Sequence, residues 1–375
     1  PGSHSRRPAG IRGMMLPLLP LALLACSAPE LQVLSVTELG PIEQNSMIRG
    51  RDGGYSGMAF DHSVWLYGDS VLSVENEDGS AWCNNTASWT QDLDASDNLE
   101  DFTDWVGSRW VPVEFLPRTE AEAAFNTAHE GDDCLEEPCG ARWALWPGAI
   151  VEDPDRDRAL IFYHLIYGEN GEWNFESVGS GIATWSGLDQ QPERPVVDAD
   201  HAQPTLLWHD PTAAFGAAAL VEGDSLYAFA CEGDWAKRCL LGRAALADAL
   251  EPTAWTYWDG AGWTQELDQA VGIFDAHTML SVHYDDAIGR YLALYNRPLD
   301  DRVYLRTAEH LEGPWSRDEA VFATEPSHDG AVAYGAMAHP ELDRGDGAFV
   351  YFSYFRSPAD WEGEIQLVEI EIAAP

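Results

Sequence analysis

After the first 26 residues, apolar positions nowhere recur at helical spacing over a useful length. They come as short runs rich in Val, Leu, Tyr, Phe and Trp, set between clusters of Gly, Pro and Asp. Runs of that kind bounded by turn formers predict strands, and the chain reads as all-β. A two-strand unit, in which a strand of small residues turns into an aromatic one, repeats five times. The copies are Gly57–Phe60 with Val64–Gly68, Gly148–Val151 with Leu160–His164, Gly216–Leu220 with Leu226–Phe229, Thr278–Val282 with Tyr291–Tyr295, and Gly335–Ala338 with Phe349–Ser353. Third strands follow several of them, at Gly181–Trp185, Leu241–Ala245 and Val303–Ala308. Small residues suit inner strands crowded about an axis, and aromatics suit the middle strands between blades. The order predicts a five-bladed β-propeller, with Leu31–Val36 pairing to Ile365–Ile370 to seal the ring and remove its edges. A β-sandwich, the alternative, has no need of five copies.

The segment set aside has a different pattern. Arg6, Arg7 and Arg12 precede an apolar run from Met14 to Ala25 that ends in Leu23-Leu24-Ala25-Cys26. A basic start, an apolar stretch too short to span a bilayer and a small residue before cysteine predict a lipoprotein signal over 1–25. Cys26 would then carry the lipid, and 26–375 would form a single propeller domain with a long acidic insert at about 91–140. An ordinary secretory signal with an incidental cysteine is the alternative, and both export the chain. Ser27 favours an outer-membrane address facing the periplasm or the cell surface. Membrane contact is expected through the lipid alone, and the protein is expected to be a monomer.

Charge narrows the partners further. The formal charge is −42, or about −45 without the three arginines of the leading segment. Such a field repels nucleic acid and anionic head groups and suits neutral or cationic ligands. Beyond Cys26, Cys134 with Cys139 and Cys231 with Cys239 are near neighbours, expected to bond in an oxidising compartment and to leave Cys83 free. Neither spacing suits zinc, and no histidine flanks either pair at ligand spacing. No metal or cofactor is predicted, and calcium at the axis is left open. The chain carries no Walker loop, dinucleotide fingerprint, zincin helix or nucleophile elbow, so nucleotide and serine-hydrolase functions have no support.

Candidate chemistry gathers around Arg51-Asp52-Gly53-Gly54-Tyr55-Ser56-Gly57 and the strand end Trp65-Leu66-Tyr67-Gly68-Asp69-Ser70. In an up-and-down hairpin, the start of one strand and the end of the next lie at the same end of the blade. Asp52 and Asp69 are therefore expected to face one mouth of the channel. Paired carboxylates in an aromatic cleft are what glycosidic cleavage requires, one protonating the leaving oxygen and the other activating water or attacking. Ordinary turn aspartates would read the same way. Trp146, Phe215, Asp275, His277 and Tyr334 stand at inner-strand starts, and Glu232 and Arg243 lie near the later strands of the third unit. Aromatic rings stack on sugar faces, while Asp, His and Arg hydrogen-bond hydroxyls. Asp275 and His277, two apart on a strand, would share a face. Packing at the axis and a structural Asp–His hydrogen bond are the plain alternatives. Sixteen tryptophans and 13 tyrosines suit sugar binding and blade packing alike.

The Asp52-Gly53 loop, the Trp65–Ser70 strand end and Asn84-Asn85-Thr86-Ala87-Ser88-Trp89 resemble a bacterial family of five-bladed propellers labelled a domain of unknown function. That family is related to glycoside hydrolases and includes endo-D-arabinanases. Trp146-Pro147-Gly148, and Thr307-Ala308 through Leu311-Glu312-Gly313-Pro314-Trp315, look like elements shared with it and with furanosidase propellers. The likeness covers the whole mature chain. It implies a hydrolase of furanose-containing polysaccharide, arabinanase-like, with Asp52 and Asp69 at the family's essential aspartates. Acids at the two ends of one hairpin leave room for a water between them, which predicts inversion. The insert at 91–140 departs from a typical member and would cover or reshape one face of the channel. The alternative function is a non-catalytic glycan-binding or scaffold lipoprotein. A protein scaffold would show a large exposed apolar patch instead of a lined channel.

Overall fold

The strand His62–Leu72 shows why the chain folds as it does. Val64, Trp65, Leu66 and Tyr67 are all buried, although successive side chains of a strand point to opposite faces. Val64 and Leu66 pack with Leu145, Ile161 and Tyr163, whereas Trp65 and Tyr67 pack with Tyr351, Ile365 and Leu367. A strand apolar at every position needs a sheet on each side, and the computed structural model meets that need with five sheets set as the blades of a β-propeller. It describes Gly2 and residues 31–373, apart from 172, 232–235, 329, 331–332 and 343–348. The expected lipidation residue Cys26, the signal segment apart from Gly2, and Glu232 lie outside the described residues.

Blade 1 holds Ile48–Ala59, His62–Leu72, Thr86–Thr90 and Thr103–Asp104, with the short strand Trp82–Cys83 beside the second. Blade 2 holds Arg142–Asp153, Arg158–Gly168 and Phe175–Trp185. Blade 3 runs from Ala218–Glu222 through Ser225–Ala230 and Arg238–Ala245 to Thr256–Trp258 and Trp263–Thr264. Blade 4 holds Ser281–Asp285, Arg290–Asn296, Arg302–Ala308 and Glu319–Ala323. Blade 5 holds Tyr334–Ala338, Phe349–Arg356 and Glu364–Ala373, and Gln32–Pro41 completes it from the other end of the chain. Val36 lies opposite Ile370 in that antiparallel pair, as the sequence predicts. The inner strands of blades 3 and 4 begin at Ala218 and Ser281, later than the sequence-based starts at Gly216 and Thr278.

Each inner strand touches the next around the ring, and blade 5 returns to blade 1. The approach is tight enough that a Cβ on Gly148 would stand 2.4 Å from the carbonyl oxygen of Gly216. This is the physical reason for the small residues at the axis. Five apolar layers fill the gaps between neighbouring blades, the one between blades 2 and 3 built on Leu160, Phe162, Phe215 and Leu226.

The acidic segment at 91–140 packs Phe115 and Leu116 into the layer between blades 1 and 2. Its helix, Glu120–Ala128, starts in a capping box between Thr119 and Glu122, and Glu122 pairs with Arg194 at 2.6 Å. Disulfides join Cys134 to Cys139 and Cys231 to Cys239 and leave Cys83 free, as expected; Cys83 is buried. Among the described residues no helix is long and apolar enough to cross a membrane.

Candidate functional site

The hairpin of blade 1 slips out of register where the acids lie. Arg51 pairs with Ser70 and Gly53 with Tyr67, so two residues, Gly68 and Asp69, face the single Asp52. A bulge of this kind turns side chains away from the regular alternation. It also brings the backbone close, since a Cβ on Gly68 would stand 2.4 Å from Asp52 Oδ1. The Asp69 backbone N–H donates to the Asp52 carboxyl, and Tyr334 Oη donates to Asp52 Oδ2 at 2.8 Å. Asp69 is held by two indoles: Nε1 of Trp82 at 3.2 Å and Nε1 of Trp146 at 3.4 Å both donate to its Oδ1. Its Oδ2 accepts no hydrogen bond among the described residues.

Asp52, Asp69, Trp82, Tyr334, Phe355 and Trp361 line one cleft of about 210 Å³. Tyr334 and Phe355 are register partners in blade 5, with ring centroids 4.8 Å apart. Burial raises the Asp52 carboxyl to about 7, the Asp69 charge adds to the rise, and the Tyr334 hydrogen bond opposes it. Burial likewise raises Asp69 to about 6, against the opposing indole bonds from Trp146 and Trp82. Carboxyls raised to these values hold about one proton between them near pH 6 to 7. Burial and the Asp52 charge drive the Tyr334 hydroxyl well above its ordinary value, so it stays a donor.

Of the residues singled out in the sequence, Asp52, Asp69, Trp146 and Tyr334 come together here. His277 lies just before the inner strand of blade 4, where its Nδ1 accepts the Met279 N–H at 3.3 Å. Burial, with the Lys237 charge, lowers its pKa to about 4, so the ring is neutral. Phe215 is fully buried against Trp208 and Tyr257, at 4.9 and 5.5 Å, inside the layer between blades 2 and 3. Arg243 stacks on Trp263 at 3.9 Å among the later strands of blade 3. Asp275 is exposed and faces Arg238 at 3.5 Å, on a two-residue strand paired with the third strand of blade 3. That strand ends before His277, so the two do not share a strand face.

Trp82, Phe355 and Trp361 were not singled out. Phe355 was within reach, because it stands near the end of the second strand of blade 5 as Asp69 does in blade 1. Trp82 and Trp361 sit on a two-residue strand and in a loop, where no periodic pattern marks them.

Fold and cleft together define a five-bladed propeller with two half-buried carboxyls in one cleft, and its structural neighbours include glycoside hydrolases. The chain belongs to the family described as a domain of unknown function (DUF4185), which matches residues 166–357; Asp52 and Asp69 precede the matched stretch. It is similar in structure to a putative hydrolase from Bacteroides ovatus, with 15% identity, a TM-score of 0.58 and 87% of each chain covered. It is also similar to an exo-β-1,3-galactanase from Phanerochaete chrysosporium in complex with β-1,3-galactotriose, with 12% identity, a TM-score of 0.50, and 90% of this chain and 64% of the other covered. A GH43 enzyme from Xanthomonas citri gives 10% identity and a TM-score of 0.49 over 92% of this chain and 94% of its own. At such identities the likeness is one of fold. No curated protein matches the chain.

Proposed function

We propose that the protein is a glycoside hydrolase acting on a furanose-containing polysaccharide, with Asp52 and Asp69 as its working carboxyls. The observation that carries this is the pair itself: two half-buried acids from one hairpin, raised to about 7 and about 6, in an aromatic cleft. A pair that holds one proton near neutrality can protonate a leaving glycosidic oxygen and accept a proton from water. Asp52, with the higher pKa, is the acid. Asp69, with Oδ2 open, is the base, and the indoles of Trp82 and Trp146 favour its ionised form by donating to it. Attack by the water that Asp69 activates inverts the anomeric centre. The hydrolase-like fold is in keeping with this reading. The protein works outside the cytoplasm as a monomer, anchored by lipid at Cys26.

The test is incubation with arabinans, galactans and other wall polysaccharides, followed by chromatography of released oligosaccharides. Release from an arabinan, with the inverted anomer seen first by NMR, is the expected result. No release from any polysaccharide by the wild-type chain would sink the reading.

A further inference from the structure

Asp69 Oδ1 joins two strings of aromatic rings. In one string Trp82, which donates to Asp69, meets Trp361 edge to face, with centroids 6.1 Å apart and planes at 78°. In the other Trp146, the second donor, meets Phe175 at 5.0 Å and 75°, and Phe175 meets Trp173 at 6.3 Å. The outermost rings are open to solvent, Trp361 at 67% and Trp173 at 84% exposure. Both also hold a left-handed backbone, with φ of 61° and 59°, which bulky residues seldom adopt and which tends to persist where function requires it. Trp110 combines 76% exposure with a φ of 63° but meets none of these rings, so exposure and conformation alone do not define the strings. The link through Asp69 does.

We infer that the cleft binds the interior of a neutral glycan chain laid across Asp69, with sugar rings stacked on Trp361 and Trp82 to one side and on Phe175 and Trp173 to the other. The inference rests on the glycan-cleft reading above and adds the mode of binding and the residues that set it. In each edge-to-face pair one ring braces the other and leaves a face free. A sugar offers a matching surface, apolar on its C–H face and polar at its edge. A platform on one side only would seat a chain end and release single sugars, whereas platforms on both sides seat an interior segment and release oligosaccharides first. The formal charge of −42 disfavours an acidic polysaccharide and leaves a neutral one.

Affinity electrophoresis through gels containing arabinan, galactan or xylan tests this, run on the chain carrying Asp52→Asn and Asp69→Asn so that binding is read without turnover. At least one gel should retard the protein. Trp361→Ala and Trp173→Ala should each weaken that binding about tenfold, and the double variant about a hundredfold, as independent distant sites do. Trp361→Phe should restore most of the loss, and Trp110→Ala should change nothing. No retardation in any gel, a loss confined to one of the two tryptophans, or an equal loss in Trp110→Ala would overturn the inference. A chain retarded as expected that never releases sugar would defeat the hydrolase reading and leave this one standing. Hydrolysis with binding indifferent to both tryptophans would do the reverse.

Discussion

Blades 3 and 4 pair their first two strands residue for residue, while blades 1, 2 and 5 do not. Blade 1 slips at three points around Asp52, blade 2 between Pro147 and Ile150, and blade 5 between Tyr334 and Met337. Each slip adjoins a side chain of the cleft or its rim: Asp52 and Asp69, Trp146, Tyr334. A regular hairpin sends alternate side chains into the two apolar layers that flank its blade, and a bulge releases one or two of them to face elsewhere. The cleft is therefore built where strand pairing is given up. Phe215, Arg243 and Asp275, all around blade 3, serve interblade packing, a stacked cation and an ion pair instead.

Substitutions on the two sides of this division should separate cleanly. Asp52→Asn and Asp69→Asn on the irregular side should each lower kcat about a thousandfold or more, whereas Asp275→Asn should stay within about twofold. Reducing-sugar release from a polysaccharide that the wild type cleaves gives the comparison, and an inactive Asp275→Asn would erase the division. Phe215→Ala should cost about 3–5 kcal/mol of stability in a denaturant melt, while the protein that remains folded keeps its kcat. The pH profile should rise through about 6 and fall through about 7, as Asp69 ionises and then Asp52 loses its proton. Tyr334→Phe removes a bond that lowers the Asp52 pKa, so the alkaline limb should move up by about one unit or less; a downward move would contradict the assignment.

The smallest effect is on stability. Both carboxyls titrate higher in the folded state than in the unfolded chain, so the stability they allow is present at low pH and is lost as pH rises through about 6 to 7. Asp52→Asn escapes the Asp52 share of that loss. Its Tm should gain on the wild type by about 2–5 °C between pH 5 and pH 8.

Much of the ring was legible because burial on both faces writes itself as unbroken apolar runs such as Val64–Tyr67 and Leu160–Tyr163. The acids were found by a topological rule, that the start of one strand and the end of the next share a mouth, and the bulge made that neighbourhood closer than the rule requires. Phe215 was misread because the same rule assumes that a residue at an inner-strand start faces the channel, and its ring turns into the layer with Trp208 and Trp255. Trp361 stayed hidden because nothing in a loop sequence separates an aromatic that lines a cleft from one that faces bulk water.

Among the described residues the strand Gln32–Pro41 pairs with one strand, Glu364–Ala373, and residues 42–363 lie between them. Synthesis makes the first of these long before the second. Blade 5 therefore cannot be finished until residues 364–373 have left the ribosome, and until then a bare edge waits that other strands could occupy. The entropy of closing so long a loop grows only slowly with its length, so the delay is one of timing more than of equilibrium. The two strands act as a latch: deleting residues 364–373 should open the ring, whereas a nick in a loop at the cleft should leave the circle joined.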